Sequence, residues 1–268
     1  AGMACGVKAS GADDLAMVAT ADGSPVIAAG VFTSNKMTAP PVLVTRKHLA
    51  ATDGRAAAVV LNSGNANAAT GAAGMADAEL MCVLTAEAIG CTPDEVLVCS
   101  TGLIGFPLPM DRIVPAIPTL AGELTDDGGP AAARAIMTTD TVPRTTTVTG
   151  TTLDGGTFTI GGVAKGAAML EPNMATMLAV LTTDALLDAP AATGALRAAV
   201  GVSFNCLTVD GAESTNDTVL LLASGAAGPV EADQFDGLLA DACRDLAVQM
   251  ADDAEGSTKT VFLTVTGA

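Results

Sequence analysis

Three short, uninterrupted apolar runs constrain this chain most: residues 56–61 (AAAVVL), 96–99 (VLVC) and 177–182 (MLAVLT). Each is too short for a typical helix, and none alternates with polar residues. That pattern is expected of strands buried on both faces. A chain with several such strands must cover both sides of its sheets.

The segments between these runs supply the covering layers. Residues 74–89 place Met75, Leu80, Val83, Leu84 and Ile89 at helical spacing, and Gly90 can end the helix. Residues 235–250 read as a strong amphipathic helix through Leu238, Leu239, Cys243, Leu246 and Met250. Shorter helices are expected over 111–120 and 130–137, and a helix over 185–200 that Pro190 interrupts or restarts. Strands are expected at 14–20 and 26–33, forming a hairpin around Gly23-Ser24-Pro25, and at 42–45 after Pro40-Pro41. A second hairpin is expected from 145–149 and 157–160 around Asp154-Gly155-Gly156, with further strands at 207–209, 218–223 and 260–266. Strands and helices alternate irregularly, so the fold class is α/β: a layered sandwich of mixed sheets, not a doubly wound parallel sheet.

Composition excludes several functions. The net charge of -17, with only 12 Lys and Arg, argues against nucleic-acid binding, which needs clustered cations. No apolar run approaches the ~20 residues that span a bilayer. The first residues lack a signal-peptide pattern, so a cytoplasmic protein is the simplest expectation. The six cysteines are scattered without a C-x-x-C pair and read as buried free thiols; Cys82 and Cys91 are the two that a helix end could bring together. His48 is the single histidine, which excludes a His-rich metal site. It follows Arg46-Lys47 and is expected at the surface.

The third apolar run is preceded by Ala175-Thr176, after Lys165-Gly166 and a Glu171-Pro172-Asn173 turn. A threonine there has two readings. One is a β-branched residue that starts a strand. The other is a nucleophile that cuts the bond before itself. A threonine hydroxyl is weak until a base takes its proton, and a threonine at a new N-terminus has its own α-amine for that task. An α-amine titrates near ~7.7–8.0, so much of it is free base at neutral pH. Ala175 is small enough to admit the attack.

The stretch KGAAMLEPNMATML, residues 165–178, is similar to the autoproteolysis segment of the glutamate N-acetyltransferases, or ornithine acetyltransferases, of arginine biosynthesis. Agreement continues in order through VVLNSGNANA (59–68), CSTGLIG (99–105), IMTTDT (136–141), FNCLTVDGAESTNDT (204–218) and EGSTKT (255–260). The resemblance implies a sandwich of the ornithine acetyltransferase type, cut between Ala175 and Thr176 into regions 1–175 and 176–268. Thr176 would carry an acetyl group from N-acetylornithine to glutamate in ping-pong fashion, with no cofactor and no metal. It implies an oxyanion site from the Thr101 hydroxyl and the Gly102 N–H, and substrate contacts from Thr139, Lys165, Thr176 and Glu255. Thr138 competes with Thr139 for its role. The Asn-rich loop at 62–67 is expected near the site, and the acidic loop 210–217, which lacks EF-hand spacing, is expected as a hydrogen-bonded loop beside it. Acetyl-CoA as a second donor stays open. The two regions are expected to stay associated, as a homo-oligomer of heterodimers.

Two residues depart from the family pattern: Ala168 stands for a glycine, and Ala212 for a common acidic residue. Family members also continue beyond the point matching Ala268, so a fragment is expected. Two other readings remain: an N-terminal-nucleophile amidohydrolase or aminopeptidase, and a binding protein that keeps the fold and never matures.

Overall fold

The computed structural model describes residues 1–169 and 177–267. Among the described residues, ten strands form two sheets. The smaller has the order β1-β2-β5-β6, from β1 (Gly2–Met3), β2 (Leu15–Ala19), β5 (Ala58–Asn65) and β6 (Val96–Leu103). The larger has the order β4-β3-β10-β9-β8-β7, from β3 (Val26–Phe32), β4 (Arg55–Ala56), β7 (Arg144–Thr151), β8 (Thr157–Lys165), β9 (Leu178–Leu186) and β10 (Thr218–Pro229). β5 and β6 run parallel, as do β9 and β10; every other pairing is antiparallel.

The apolar runs occupy the positions their composition demands. Along β5, Ala58 and Val60 face one core while Val59 and Leu61 face another. The same period-two division holds along β6 (Val96 and Val98 against Leu97 and Cys99), and along β9 (Ala179 and Leu181 against Leu178 and Val180). One core lies between the two sheets. A second lies under α2 (Gly71–Ile89) and α3 (Met110–Gly122), on the outer face of the small sheet. A third lies under α5 (Ala189–Gly201) and α6 (Ala232–Asp252), on the outer face of the large sheet. The result is a four-layer α-β-β-α sandwich, the mixed-sheet α/β class expected. The short helix α4 (Gly129–Ala135) adds Ala132, Ala133 and Ala135 to the inter-sheet core.

Four expectations fail locally. Residues 14–20 and 26–33 are strands but not a hairpin: β2 pairs with β5 and β3 with β10, so the connection crosses between sheets. Gly23 sits in that crossing at φ +72, where a Cβ would meet the Ile89 carbonyl oxygen at 2.5 Å. Residues 42–45 belong to α1 (Pro40–Ala51), because two prolines at its first positions suit a helix start as well as a strand entry. His48, on the same helix, is buried, with Nδ1 2.7 Å from the Val96 carbonyl oxygen. Residues 207–209 and 260–266 lie outside the strands.

The helix expected over 185–200 begins only at Ala189, because Ala185 and Leu186 belong to β9. Pro190 neither interrupts nor restarts a helix but stands in the first turn of α5, which Asp188 caps by accepting from the Ala191 N–H at 2.8 Å. All six cysteines are free, Cys82 and Cys91 included, but only Cys82, Cys99 and Cys243 are buried as expected; Cys5 and Cys91 are half-buried and Cys206 is exposed. Among the described residues, no helix is long and apolar enough to cross a membrane.

The cores predict a contrast. Leu246→Ala removes a side chain with no exposed surface, and should lower unfolding free energy by about 2–5 kcal/mol. Leu263→Ala, at a residue 85% exposed, should stay within about 0.5 kcal/mol. Urea titration of both variants checks the pair.

Candidate active site

The site lies where β6, β8, β9 and β10 meet the loops at one end of the sandwich. Thr176 and Ala175, the expected nucleophile and its neighbour, lie outside the described residues, as do 170–174. Their flanks, Lys165–Met169 and Met177, are described. Lys165 ends β8 opposite Leu178, and Leu178 stands opposite Thr218 across the parallel pair β9–β10. Chain pairing therefore brings Lys165, Met177 and the residues before Thr218 together.

Lys165 is 1% exposed. Its Nζ lies 3.4 Å from the Thr101 hydroxyl and 3.8 Å from Asp140 Oδ2. Burial pushes the lysine pKa down, against the opposing charge of Asp140. Asp140 is itself held on several sides. Its Oδ1 accepts from the Gly166 N–H at 2.8 Å and from Arg144 Nη1, while Oδ2 accepts from the Thr138 N–H at 2.8 Å. Burial alone would raise this carboxyl; Lys165, the two N–H groups and the Arg144 guanidinium outweigh it and hold it at about 2.

Arg144 has no exposed surface and faces the end of α6. Its Nη2 donates to Asp253 Oδ2 at 2.6 Å, and its Nε to the Gln249 carbonyl at 3.1 Å. Asp253 also accepts from the Thr141 N–H at 2.8 Å and from the Thr141 hydroxyl. Two residues on, the Glu255 N–H donates to the Ala167 carbonyl at 2.7 Å. The exposed carboxylate of Glu255 is thus tied by its backbone to the turn that follows Lys165.

Thr101 is buried and Gly102 exposed, both inside β6. Near Gly102 the strand carries a register irregularity, where β5 and β6 slip around Gly64 and Asn65. Gly102 has φ +134, and a Cβ there would lie 2.3 Å from the Gly64 carbonyl carbon. Only glycine fits this approach. The Asn-rich segment is a buried scaffold: Asn62 Nδ2 donates to the Asn65 carbonyl at 2.8 Å, Asn62 Oδ1 accepts from the Ser100 hydroxyl at 2.6 Å, and Asn67 Nδ2 donates to the Gly74 carbonyl at 2.8 Å.

Of the two competing threonines, Thr138 is occupied by Asp140, to which its hydroxyl lies 3.4 Å away, whereas Thr139 is exposed.

Loop 210–217 meets its expectation as a hydrogen-bonded loop. Asn216 Nδ2 donates to the Ala66 carbonyl at 2.6 Å and the Ser100 carbonyl at 2.9 Å. Asp217 is fully buried, and its Oδ1 accepts from the Met177 N–H at 2.8 Å. Sequence reasoning did not single out Asp140, Arg144, Asp217 or Asp253. The motif IMTTDT contained Asp140, but its partners Arg144, Lys165 and Gly166 lie outside that motif, up to 26 residues along the chain, and Arg144 in turn reaches Asp253 109 residues away.

This arrangement supplies a buried cation beside a hydroxyl, a glycine-dependent backbone approach, and a strand that begins two residues after Thr176. It defines a site able to bind an anion and stabilise developing negative charge. The profile of the ArgJ family matches residues 1–268, and the chain belongs to that family. It is 50% identical over 281 residues to the arginine biosynthesis bifunctional protein ArgJ of Mycolicibacterium paratuberculosis, covering all of this chain and 67% of that protein. It is 49% identical over 269 residues to that of Streptomyces coelicolor, covering 68% of it. The crystal structure of the Bacillus halodurans ArgJ protein superposes with a TM-score of 0.60 at 41% identity, covering 65% of this chain and 88% of that one. Ornithine acetyltransferase from Mycobacterium tuberculosis, complexed with ornithine, superposes with a TM-score of 0.55 at 40% identity, covering 66% of this chain and 90% of that one.

Two outcomes follow from the buried ion network. Arg144→Met strands Asp140 and Asp253 without their partner, and should cost about 3–5 kcal/mol by chemical denaturation. The Asp140 carboxyl sits below its ordinary value in the folded state, so its contribution is complete above about pH 4 and is lost as pH falls through about 2. Melting temperatures of Asp140→Asn and the parent should therefore differ at pH 6 and converge toward pH 2.

Proposed function

We propose that this chain transfers an acetyl group from N-acetylornithine to glutamate through an acetyl-Thr176 intermediate, after cutting itself between Ala175 and Thr176. The observation that carries the reading is the buried Lys165–Thr101 pair, with Thr101 on β6 and Lys165 at the end of β8, where it opens the 165–178 motif that contains Thr176.

In the first step Thr176 Oγ attacks the Ala175 carbonyl carbon, its proton passes to the departing amide nitrogen, and an ester replaces the peptide bond. Water then hydrolyses the ester, leaving a carboxylate on Ala175 and a free α-amine on Thr176. That amine accepts the hydroxyl proton in each later attack. Thr176 Oγ next takes the acetyl group from N-acetylornithine and ornithine leaves with the proton. The amino group of glutamate then attacks the acetyl ester and restores the hydroxyl.

The Thr101 hydroxyl and Gly102 N–H are assigned to each oxyanion. Lys165 is assigned to a substrate carboxylate, since a buried ammonium favours an anionic partner. Glu255 is assigned to the substrate α-amino group. Thr139 is assigned to substrate contact in preference to Thr138, whose hydroxyl faces Asp140. Six free cysteines fit a reducing cytoplasm.

The two pieces, 1–175 and 176–268, would remain joined by the sheet itself. β9 and β10, from the second piece, lie between β3 and β8, both from the first. The two pieces make a heterodimer, and assembly of heterodimers into a homo-oligomer belongs to the same reading.

Intact mass under denaturing conditions tests the nucleophile. The chain should give two masses that break at Ala175/Thr176, Thr176→Ala a single uncut mass, and the cut pieces should co-elute under native conditions. A Thr176→Ala protein that transfers acetyl groups at the parent rate defeats the reading. Thr101→Ala should lower the acetyl-transfer kcat by ~10²–10³ by loss of one oxyanion donor.

A further inference from the structure

Asp217 immediately precedes β10 and has no exposed surface. Its Oδ1 accepts from the Met177 N–H at 2.8 Å, while its Oδ2 is buried without a hydrogen-bond partner among the described residues. A buried carboxylate oxygen left unpaired is costly, and native structures rarely keep one without a use. The carboxyl is also rigidly placed. The Asp217 carbonyl accepts from the Thr33 N–H at 2.9 Å, and the Met177 carbonyl accepts from the Thr218 N–H at 3.2 Å. Asn216, one residue earlier, is bonded to the Ala66 and Ser100 carbonyls. Backbone bonds from neighbouring strands and the tie from Asn216 to the Asn-rich scaffold therefore fix the segment that carries this side chain.

The nitrogen that Asp217 holds is the one bonded to the carbonyl carbon of Thr176. We propose that Asp217 is a positioning residue for the nucleophile: its carboxylate anchors the amide on the C-terminal side of Thr176 and so fixes the approach of the Thr176 hydroxyl to the Ala175 carbonyl. The proposal rests on the autoproteolytic reading above.

The anchor has a property that a neutral acceptor lacks. Burial pushes the Asp217 carboxyl up to about 7, against its bond from the Met177 N–H, the nearby Ser214 side chain and the charge of Lys165. The charged groups that act on it are Lys165 from β8 and Glu213 from its own loop; Asp140 and Arg144 cluster about Lys165. An ionised acceptor binds an N–H roughly twice as strongly as a neutral one. The anchor should thus tighten as pH rises through about 7. Cleavage is the step to follow, because no α-amine exists on Thr176 until the bond is cut, and that group cannot titrate in the same range.

The test uses freshly translated full-length chain, with cleavage timed by intact mass between pH 6 and 8. In the parent the cleavage rate should rise through about pH 7. Asp217→Asn keeps an acceptor oxygen of the same shape without the charge, and should cut at a rate that no longer changes there. Asp217→Ala loses the anchor and should cut at least ~10-fold more slowly, the loss expected from removing a hydrogen bond worth about 1.4 kcal/mol. An Asp217→Ala chain that cuts at the parent rate, or an Asp217→Asn chain that keeps the parent's pH dependence, overturns the proposal.

Should Asp217→Ala not fold, the uncut Thr176→Ala chain supplies a second readout by NMR. Its Met177 amide proton should shift between pH 6 and 8 in step with the Asp217 side-chain carbon, and a Met177 amide indifferent to pH overturns the anchor. Thr176→Ala also separates the two failures. If it is cut normally, the nucleophile assignment is wrong; if it is uncut and Asp217 behaves as an ordinary residue, only the anchor is wrong.

Discussion

The Asp140 carboxylate is the interaction on which the site depends. It receives two backbone N–H groups, a guanidinium and the charge of a buried ammonium. Each of these groups is costly to bury alone, and the cluster is tolerable because its members satisfy one another. Remove Asp140 and Lys165 loses its counter-charge, Gly166 its acceptor, and Arg144 one of its two carboxylates. The network also reaches across layers. Through Arg144 and Asp253 it ties the end of α6 to the start of β7, and so sets where Glu255 leaves the helix. A short ionic cluster thereby holds together segments that the sheets alone would leave adjacent but unfixed.

The sheets do the coarser positioning. Parallel pairing of β9 with β10 places Met177 and Asp217 side by side at the strand starts, and antiparallel pairing with β8 sets Lys165 opposite Leu178. The small sheet brings Thr101 to the same end, with Asn62 and Ser100 bonded across its parallel pair. Lys165 and Thr101 thus stand on two packed sheets, a rigid setting for chemistry that depends on sub-ångström placement.

What the sequence disclosed follows its physics. Buried strands were legible because continuous apolar runs have few other uses, and their two-sided burial called for layers of helices. The helix end marked by Gly90 was legible as local chemistry, whereas the cap at Asp188 was not. The β2–β3 connection was misread because a turn sequence says that the chain reverses, not which sheet receives the next strand. Residues 42–45 were misread because β-branched residues after prolines suit either state until packing decides. His48 was misplaced for the same reason, being judged by its charged neighbours although the helix turns it inward. The motif around Thr176 was legible as a candidate nucleophile, while Arg144, Asp217 and Asp253 were not. Their meaning depends on partners far away in the chain, and an isolated Asp in an acidic sequence carries no such mark.

Helix α1 does more than fill a layer. Strand β6 ends the small sheet, and its outward backbone groups would otherwise face an open edge. The Thr45 hydroxyl donates to the Val98 carbonyl at 2.7 Å and accepts from the Val98 N–H at 2.9 Å, while His48, three residues on, meets the Val96 carbonyl. Two side chains on one helical face thus stand in for the missing neighbouring strand. The sheet is closed along this stretch by hydrogen bonds from within its own chain, so a strand from another molecule finds neither donor nor acceptor to pair with there. A family-specific site at the strand ends is in this way carried on a sheet protected from edge-to-edge aggregation by a threonine and the chain's single histidine.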